Sequence, residues 1–204
     1  MSLFDEDYFE HGNEKGVSLY TNFRWMPERS IPEAHWIINH LKMNRYSSII
    51  DYGCAKGFHV RALRLLGYEA YGYDISDYAL SCANNKVAKY LYNKIKGRYD
   101  YGLCKDTLEH CTDLHQLEES LQILAHLAFK WLIIIPNAKD GKYVIPDIAK
   151  DVTHNIKLNK EDWDLILGDN GLEIEEFSYR LFGLKDNWAS YKKGNLFYIV
   201  KART

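Results

Sequence analysis

The stretch Ser48-Ile-Ile-Asp-Tyr-Gly-Cys-Ala-Lys-Gly-Phe58 runs an apolar strand into an acid, then into a turn of small residues, then into a helix. Gly53 and Gly57 permit backbone angles and a close ligand approach that a β-carbon would obstruct. Such a strand–turn–helix junction sits at the carboxyl end of a parallel strand, where α/β folds bind nucleotides. A second acid, Asp74, ends the next strand in Tyr71-Gly-Tyr-Asp-Ile75. Its spacing from Gly57 suits a carboxylate that accepts hydrogen bonds from ribose hydroxyls.

Outward from this junction, short β-branched or aromatic runs alternate with amphipathic stretches. That predicts an α/β fold with a mostly parallel sheet. Helices are expected over residues 33–42, with Pro32 at the entry, and over 58–66, with Gly67 left-handed at its end. Ser76 caps a short helix reaching about residue 84. Strands are expected at 48–52, 70–73, 89–92, 99–104 and 131–135. The clearest helical stripe is Leu114, Leu117, Leu121, Leu124 and Leu127, within residues 113–130. A further helix opens at Asn159, and strands at 172–179 and 196–201 pair antiparallel.

Composition bounds the rest. The 204 residues make one domain, with residues 1–30 as an N-terminal extension or lid and 31–204 as the main domain. Lys and Arg number 26 against 28 Asp and Glu, a formal charge of −2, which argues against a general polyanion binder. Hydrophobic residues at 47% and charged residues at 26% exclude a disordered chain. Cys54, Cys82, Cys104 and Cys111 form no CxxC pair, so neither a zinc knuckle nor a disulfide framework is expected. The acidic N-terminus lacks a signal-peptide pattern, and Trp131-Leu-Ile-Ile-Ile135 is too short to cross a bilayer. A cytoplasmic protein without membrane partners is expected.

Two nucleotides compete for the glycine loop. A dinucleotide fingerprint wants G-x-G-x-x-G, whereas Gly53-Cys-Ala-Lys-Gly57 has Ala55 at the second glycine and no glycine at the sixth place. Asp51 is awkward beside a diphosphate and welcome beside a sulfonium or an α-ammonium group. The electrostatics favour S-adenosylmethionine (SAM) over NAD.

These motifs resemble the class I SAM-dependent methyltransferases, over roughly residues 30–204. Asp51-Tyr-Gly-Cys-Ala-Lys-Gly57 and Tyr73-Asp-Ile-Ser76 carry the first two motifs. Residues 99–110 resemble the fourth-strand motif, and Trp131-Leu-Ile-Ile-Ile-Pro-Asn137 the fifth strand. The resemblance implies a Rossmann-like three-layer sandwich with a seven-stranded, mostly parallel sheet whose last strand is antiparallel. It implies SAM as cofactor, with Asp51, Gly53, Ala55 and Gly57 at its methionine end and Asp74 on the ribose. Ile75 would pack on adenine, with Asn93 beside it, and Asp106 and Thr107 would lie by the reacting methyl. The resembling branch often covers the cofactor with an N-terminal segment, for which Tyr20 and Arg24 are the expected contacts.

Methyl transfer is an in-line displacement at carbon, so the protein mainly positions the reactants. A base is needed where the acceptor must lose a proton. His154, in Asp151-Val-Thr-His154, and His110, in Leu108-Glu-His110, are the candidate catalytic residues. Asp106, Glu109 and His110 also match by position a metal-binding pattern of ubiquinone-pathway O-methyltransferases. The Leu-Glu-His triplet is widespread in members without metal, so no metal is assigned. His35, His40, His115 and His126 read as surface or boundary residues, His59 as peripheral, and His11 lies in the extension.

Nucleic-acid amino-methyltransferases place Asn/Asp-Pro-Pro-aromatic after the fourth strand. This chain has Lys105-Asp-Thr-Leu108 there, which disfavours that class. Residues 138–158, with Tyr143, Ile145, Pro146 and Ile148, read as a substrate-facing insertion for a small amphiphilic acceptor. The leading reading is a small-molecule methyltransferase acting at oxygen. The alternatives are a catalytically silent methyltransferase-like binding subunit and an NAD-dependent oxidoreductase.

Overall fold

The computed structural model describes residues 3–203. Seven strands form one sheet in the order β3-β2-β1-β4-β5-β9-β8. Six run in one direction: β1 (Ser48–Tyr52), β2 (Glu69–Tyr73), β3 (Leu91–Tyr92), β4 (Tyr99–Lys105), β5 (Ala128–Pro136) and β8 (Leu172–Ser178). β9 (Asn195–Ala202) inserts antiparallel between β5 and β8. The expected α/β fold with an antiparallel last strand is therefore present.

Side-chain alternation along β5 explains the three layers. Trp131, Ile133 and Ile135 enter one core, while Leu132 and Ile134 enter the other. Both faces must be covered, as period-2 alternation in a central strand requires. α6 (Leu114–Leu127) and α7 (Lys160–Asp169) cover the first face, and α3 (Pro27–Leu41) and α4 (Phe58–Leu65) the second. α5 (Asp77–Ser81) follows β2. Caps set the helix starts: Asp113, Asn159 and Ser76 accept backbone N–H bonds from Gln116, Asp162 and Ala79.

Several boundaries differ from expectation. α3 starts at Pro27, and Pro32 lies inside it. Pro32 and Glu28 are exposed, so the carbonyl left without an N–H partner faces water. The Leu stripe of α6 holds except at Leu114, which is exposed in the first turn. β5 begins at Ala128, directly after α6. α5 stops at Ser81, and only Leu91 and Tyr92 of the third strand pair with β2.

Two regions carry structure that the pattern did not reveal. The N-terminal segment forms α1 (Glu6–Glu10) and α2 (Gly12–Lys15). Residues 138–158 contain a hairpin of β6 (Ala138–Lys139) and β7 (Lys142–Tyr143), then a 3-10 turn over Pro146–Lys150. Tyr143, Ile145 and Ile148 are buried in a small core against Leu19 and Trp188. These apolar groups pack the insertion, and Tyr143 also lies against His154, with ring centroids 5.7 Å apart. No helix among the described residues is long and apolar enough to cross a membrane.

Candidate active site

Strand order reverses between β1 and β4, so their carboxyl ends open a crevice at the topological switch point. The β1–α4 loop fills its floor. Gly53, Ala55 and Gly57 all have left-handed backbones, with φ of 81°, 48° and 73°. A Cβ on Gly53 would lie 2.3 Å from Thr107 Oγ1, so glycine is required twice over. Ala55 takes its left-handed angle at a cost of roughly 1–2 kcal/mol.

Asp74 braces this loop. Its Oδ2 accepts the Ala55 N–H at 2.7 Å and its Oδ1 accepts the Ser76 N–H at 2.8 Å. Burial pushes the Asp74 carboxyl up, and these N–H donors pull against it. The N–H groups of Gly53 and Cys54 both point at the Tyr73 carbonyl. The acid ending β2 thus fixes the turn after β1.

Asp51 is 3% exposed, and its Oδ2 has no hydrogen-bond partner among the described residues. Burial raises its carboxyl to about 6, against the pull of His59 and Lys105. His59 Nδ1 stands 3.9 Å from that oxygen. His59 Nε2 is 2.9 Å from Glu33 Oε2, and Arg29 donates to the other Glu33 oxygen. Burial pushes Glu33 up, but His59, Lys105 and Arg29 outweigh it and hold Glu33 at about 2. His59 is therefore central to the site's charge network rather than peripheral.

Asp106, after β4, has φ of 53°. Lys105 reaches it at 2.8 Å, and Lys185, from the β8–β9 connection, binds its other oxygen. Burial pushes Asp106 up, but the two ammonium groups hold it far below the usual carboxylate range. Thr107 Oγ1 lies 3.1 Å from the Lys105 carbonyl. Ile75 is exposed, and Asn93 donates to Asp77.

The N-terminal segment roofs the crevice. Tyr8 and Phe9, with Phe4, Tyr20 and Phe23, pack against Ala55, Tyr78 and Ala79. Glu10 and the Phe23 carbonyl both bind Lys56 of the loop. Tyr20 is raised to about 12 by burial, with Asp106, Asp151 and Glu109 adding to the rise. Arg24 is exposed. A surface cavity of about 600 Å³, lined by Ile95, Gly97, Gln122 and Leu127, lies at the opposite, amino edge of β4 and β5.

His110 and His154 come together with ring centroids 4.5 Å apart. Asp151 organises both. Its Oδ1 accepts the Thr153 hydroxyl at 2.6 Å, and its Oδ2 accepts the Tyr8 hydroxyl at 2.9 Å. Thr153 Oγ1, having donated its hydrogen, accepts from His110 Nδ1 at 2.7 Å. His154 Nδ1 donates to the Ile148 carbonyl at 2.9 Å. Both partners select the Nδ1–H tautomer, leaving a lone pair on each Nε2. Burial lowers both histidines, His110 to about 4, so both are neutral near pH 7. Glu109 is 1% exposed, and burial, aided by Asp106, raises it to about 8.

The structure thus groups Asp51, Gly53, Ala55, Gly57 and Asp74 at the loop, Asp106 and Thr107 at the end of β4, and His110 with His154. Sequence reasoning missed Tyr8 and Lys185, which arrive from distant segments. It also missed Asp151 and Thr153 as supports, although the Asp-x-Thr-His stretch was the signal that could have found them.

Residues 50–125 match the sequence family described as a methyltransferase domain. No curated protein matches the chain. Among solved structures, a chain of the Haloferax volcanii complex containing the Trm112 methyltransferase activator superposes with a TM-score of 0.70 at 14% identity, over 100% of both chains. A SAM-dependent methyltransferase from Archaeoglobus fulgidus gives 0.62 at 17% identity, covering 86% of this chain and 94% of that one. Magnesium protoporphyrin IX methyltransferase from Synechocystis, solved with bound SAH, the demethylated product of SAM, gives 0.61 at 19% identity, over 87% and 84%.

Proposed function

We propose that the chain is an active methyltransferase that binds SAM and methylates a small molecule, at oxygen; the match of residues 50–125 to a methyltransferase-domain family and a fold like that of solved SAM-dependent methyltransferases support this reading. The observation that carries this reading is Asp51, a buried carboxylate with an unpartnered oxygen beside the glycine loop. An unpaired buried anion is costly, and a ligand cation offsets that cost. The sulfonium and α-ammonium of SAM supply positive charge, whereas the diphosphate of NAD would add a like charge.

In this reading Gly53, Ala55 and Gly57 face the methionine end and Asp74 accepts the ribose hydroxyls with lone pairs its backbone donors leave free. Ile75 and Asn93 serve the adenine side, and Asp106 and Thr107 border the methyl group. Tyr20 and Arg24 belong to the cover, which lifts to admit ligand because its aromatic cluster sits on Ala55. His154 or His110 accepts the acceptor's proton at the Nε2 lone pair as the oxygen attacks. The enclosed position of these histidines under Phe4 and Tyr8 fits a small acceptor and no nucleic acid.

A silent SAM-binding subunit is the second reading, favoured by the similarity to a chain from a complex with a methyltransferase activator. Incubation with methyl-tritiated SAM and a fractionated pool of small metabolites separates the two. Transfer of label to a low-molecular-weight fraction supports the enzyme. SAM binding without transfer across the pool, with or without cell extract, supports the silent subunit.

A further inference from the structure

The geometry points to a divalent transition-metal site formed by Glu109, His110 and His154. One donor atom from each lies within 4.8 Å of the others. A tetrahedral ion with bonds of about 2.1 Å holds its donors roughly 3.4 Å apart. Binding therefore requires the donors to draw together by up to about 1.4 Å.

Three further observations support the site. First, both imidazoles are held by their Nδ1–H, His110 on Thr153 and His154 on Ile148, so each keeps an Nε2 lone pair for an ion, that of His154 standing 3.8 Å from Asp151 Oδ2. Metal-bound histidines are oriented in this way, the far N–H tied to a carbonyl or a carboxylate-backed group. Asp151 stands behind Thr153 and so supports the assembly. Second, Glu109 Oε2 is buried with no hydrogen-bond partner among the described residues. Third, Asp106 is held by two lysines and is not free to ligate. The set is therefore two nitrogens and one oxygen, with His154 in place of the Asp106 that position alone would select.

Two imidazoles with one carboxylate suit Zn²⁺, Mn²⁺, Fe²⁺ or Co²⁺ over Mg²⁺ and Ca²⁺, which prefer oxygen. Three protein ligands leave a coordination position open. What fills it rests on the methyltransferase reading above. There the occupant is an acceptor bearing an acidic hydroxyl; with both Nε2 lone pairs on the ion, the ion takes over the histidine base's task by lowering that hydroxyl's pKa, and the proton leaves to solvent. That oxygen then bonds to the methyl carbon as the carbon–sulfur bond breaks, leaving neutral thioether on the cofactor.

The test uses the full chain stripped with EDTA, dialysed, and titrated with CoCl₂ while ligand-field absorption is read. ZnCl₂ then competes, and MgCl₂ serves as comparator. One Co²⁺ per chain is expected, displaced by Zn²⁺ and indifferent to Mg²⁺. Thr153→Val should weaken Co²⁺ binding by about 10–100-fold, the usual cost of losing a supporting hydrogen bond. Glu109→Gln and His154→Gln should weaken it at least as much. Melting temperature and SAH binding, read on every variant, show whether it is folded. Absent Co²⁺ binding by a folded chain overturns the site, as does binding that none of the three substitutions changes. If Co²⁺ binds as expected and SAH does not, the metal site stands and the methyltransferase reading falls.

Discussion

Replacing Asp51 by Asn removes one buried charge and keeps the shape. The structure predicts opposite effects on stability and on ligand binding. Burial lifts the Asp51 carboxyl from 3.8 to about 6, so the folded state prefers the neutral form. The ionised carboxylate therefore costs stability above pH 6, and that cost is relieved as pH falls from about 6 toward 4. At about 1.4 kcal/mol per pH unit, the cost at pH 7 is about 3 kcal/mol. Asn carries no such cost. Asp51→Asn should raise the melting temperature at pH 7, with the gain vanishing by pH 4.

Cation binding moves the other way. A ligand charge about 5 Å from the carboxylate gains about 3 kcal/mol at an effective dielectric near 20. The Asn variant should then bind SAM on the order of 100-fold more weakly, in calorimetry at pH 7. For the parent chain, SAM affinity should rise between pH 5 and 7 as Asp51 ionises. Unchanged SAM affinity in the variant, or a lower melting temperature at pH 7, would refute the assignment of Asp51 as the cation's partner.

Other substitutions test neighbouring parts. Asp74→Ala removes acceptors for the Ala55 and Ser76 N–H groups. It should weaken SAM binding and cost about 3–6 kcal/mol of stability in denaturant titration, because two hydrogen bonds to a charged group contribute about 1.5–3 kcal/mol each. Gly53→Ala sets a Cβ 2.3 Å from Thr107 Oγ1 at a φ of 81°. It should abolish SAM binding and lower the melting temperature, whereas Gly141→Ala, in open space, should retain SAM binding. His154→Ala should reduce kcat at least about 100-fold, as loss of a general base does, with SAM affinity within a few-fold. Equal losses in both would make His154 a structural residue.

The parts legible in the sequence were those set by local chemistry. β1, its glycine loop and Asp74 lie in contiguous strand–turn patterns. The β5 run Trp131–Ile135 announces a strand buried on both faces, and Asp113 and Asn159 announce their helices by capping. What was not legible depends on contacts between distant segments. α1 is short, and aromatic packing on the loop holds it where helix propensity would not. Tyr8 meets Asp151, and Lys185 meets Asp106, with no periodicity linking the partners. His154 was visible as a candidate base, but its pairing with His110 needed Thr153 and Asp151 between them. Asp74 was visible as an acid ending β2, and its bracing of the loop was not.

The central claim is that a cationic cofactor seats against Asp51 beneath the N-terminal cover. Calorimetric titration of the intact chain at pH 7 with SAM, and separately with NAD, tests it most directly. Saturable binding of one SAM per chain, with no heat from NAD over the same range, is the predicted result. Saturable NAD binding with no response to SAM or SAH would contradict it.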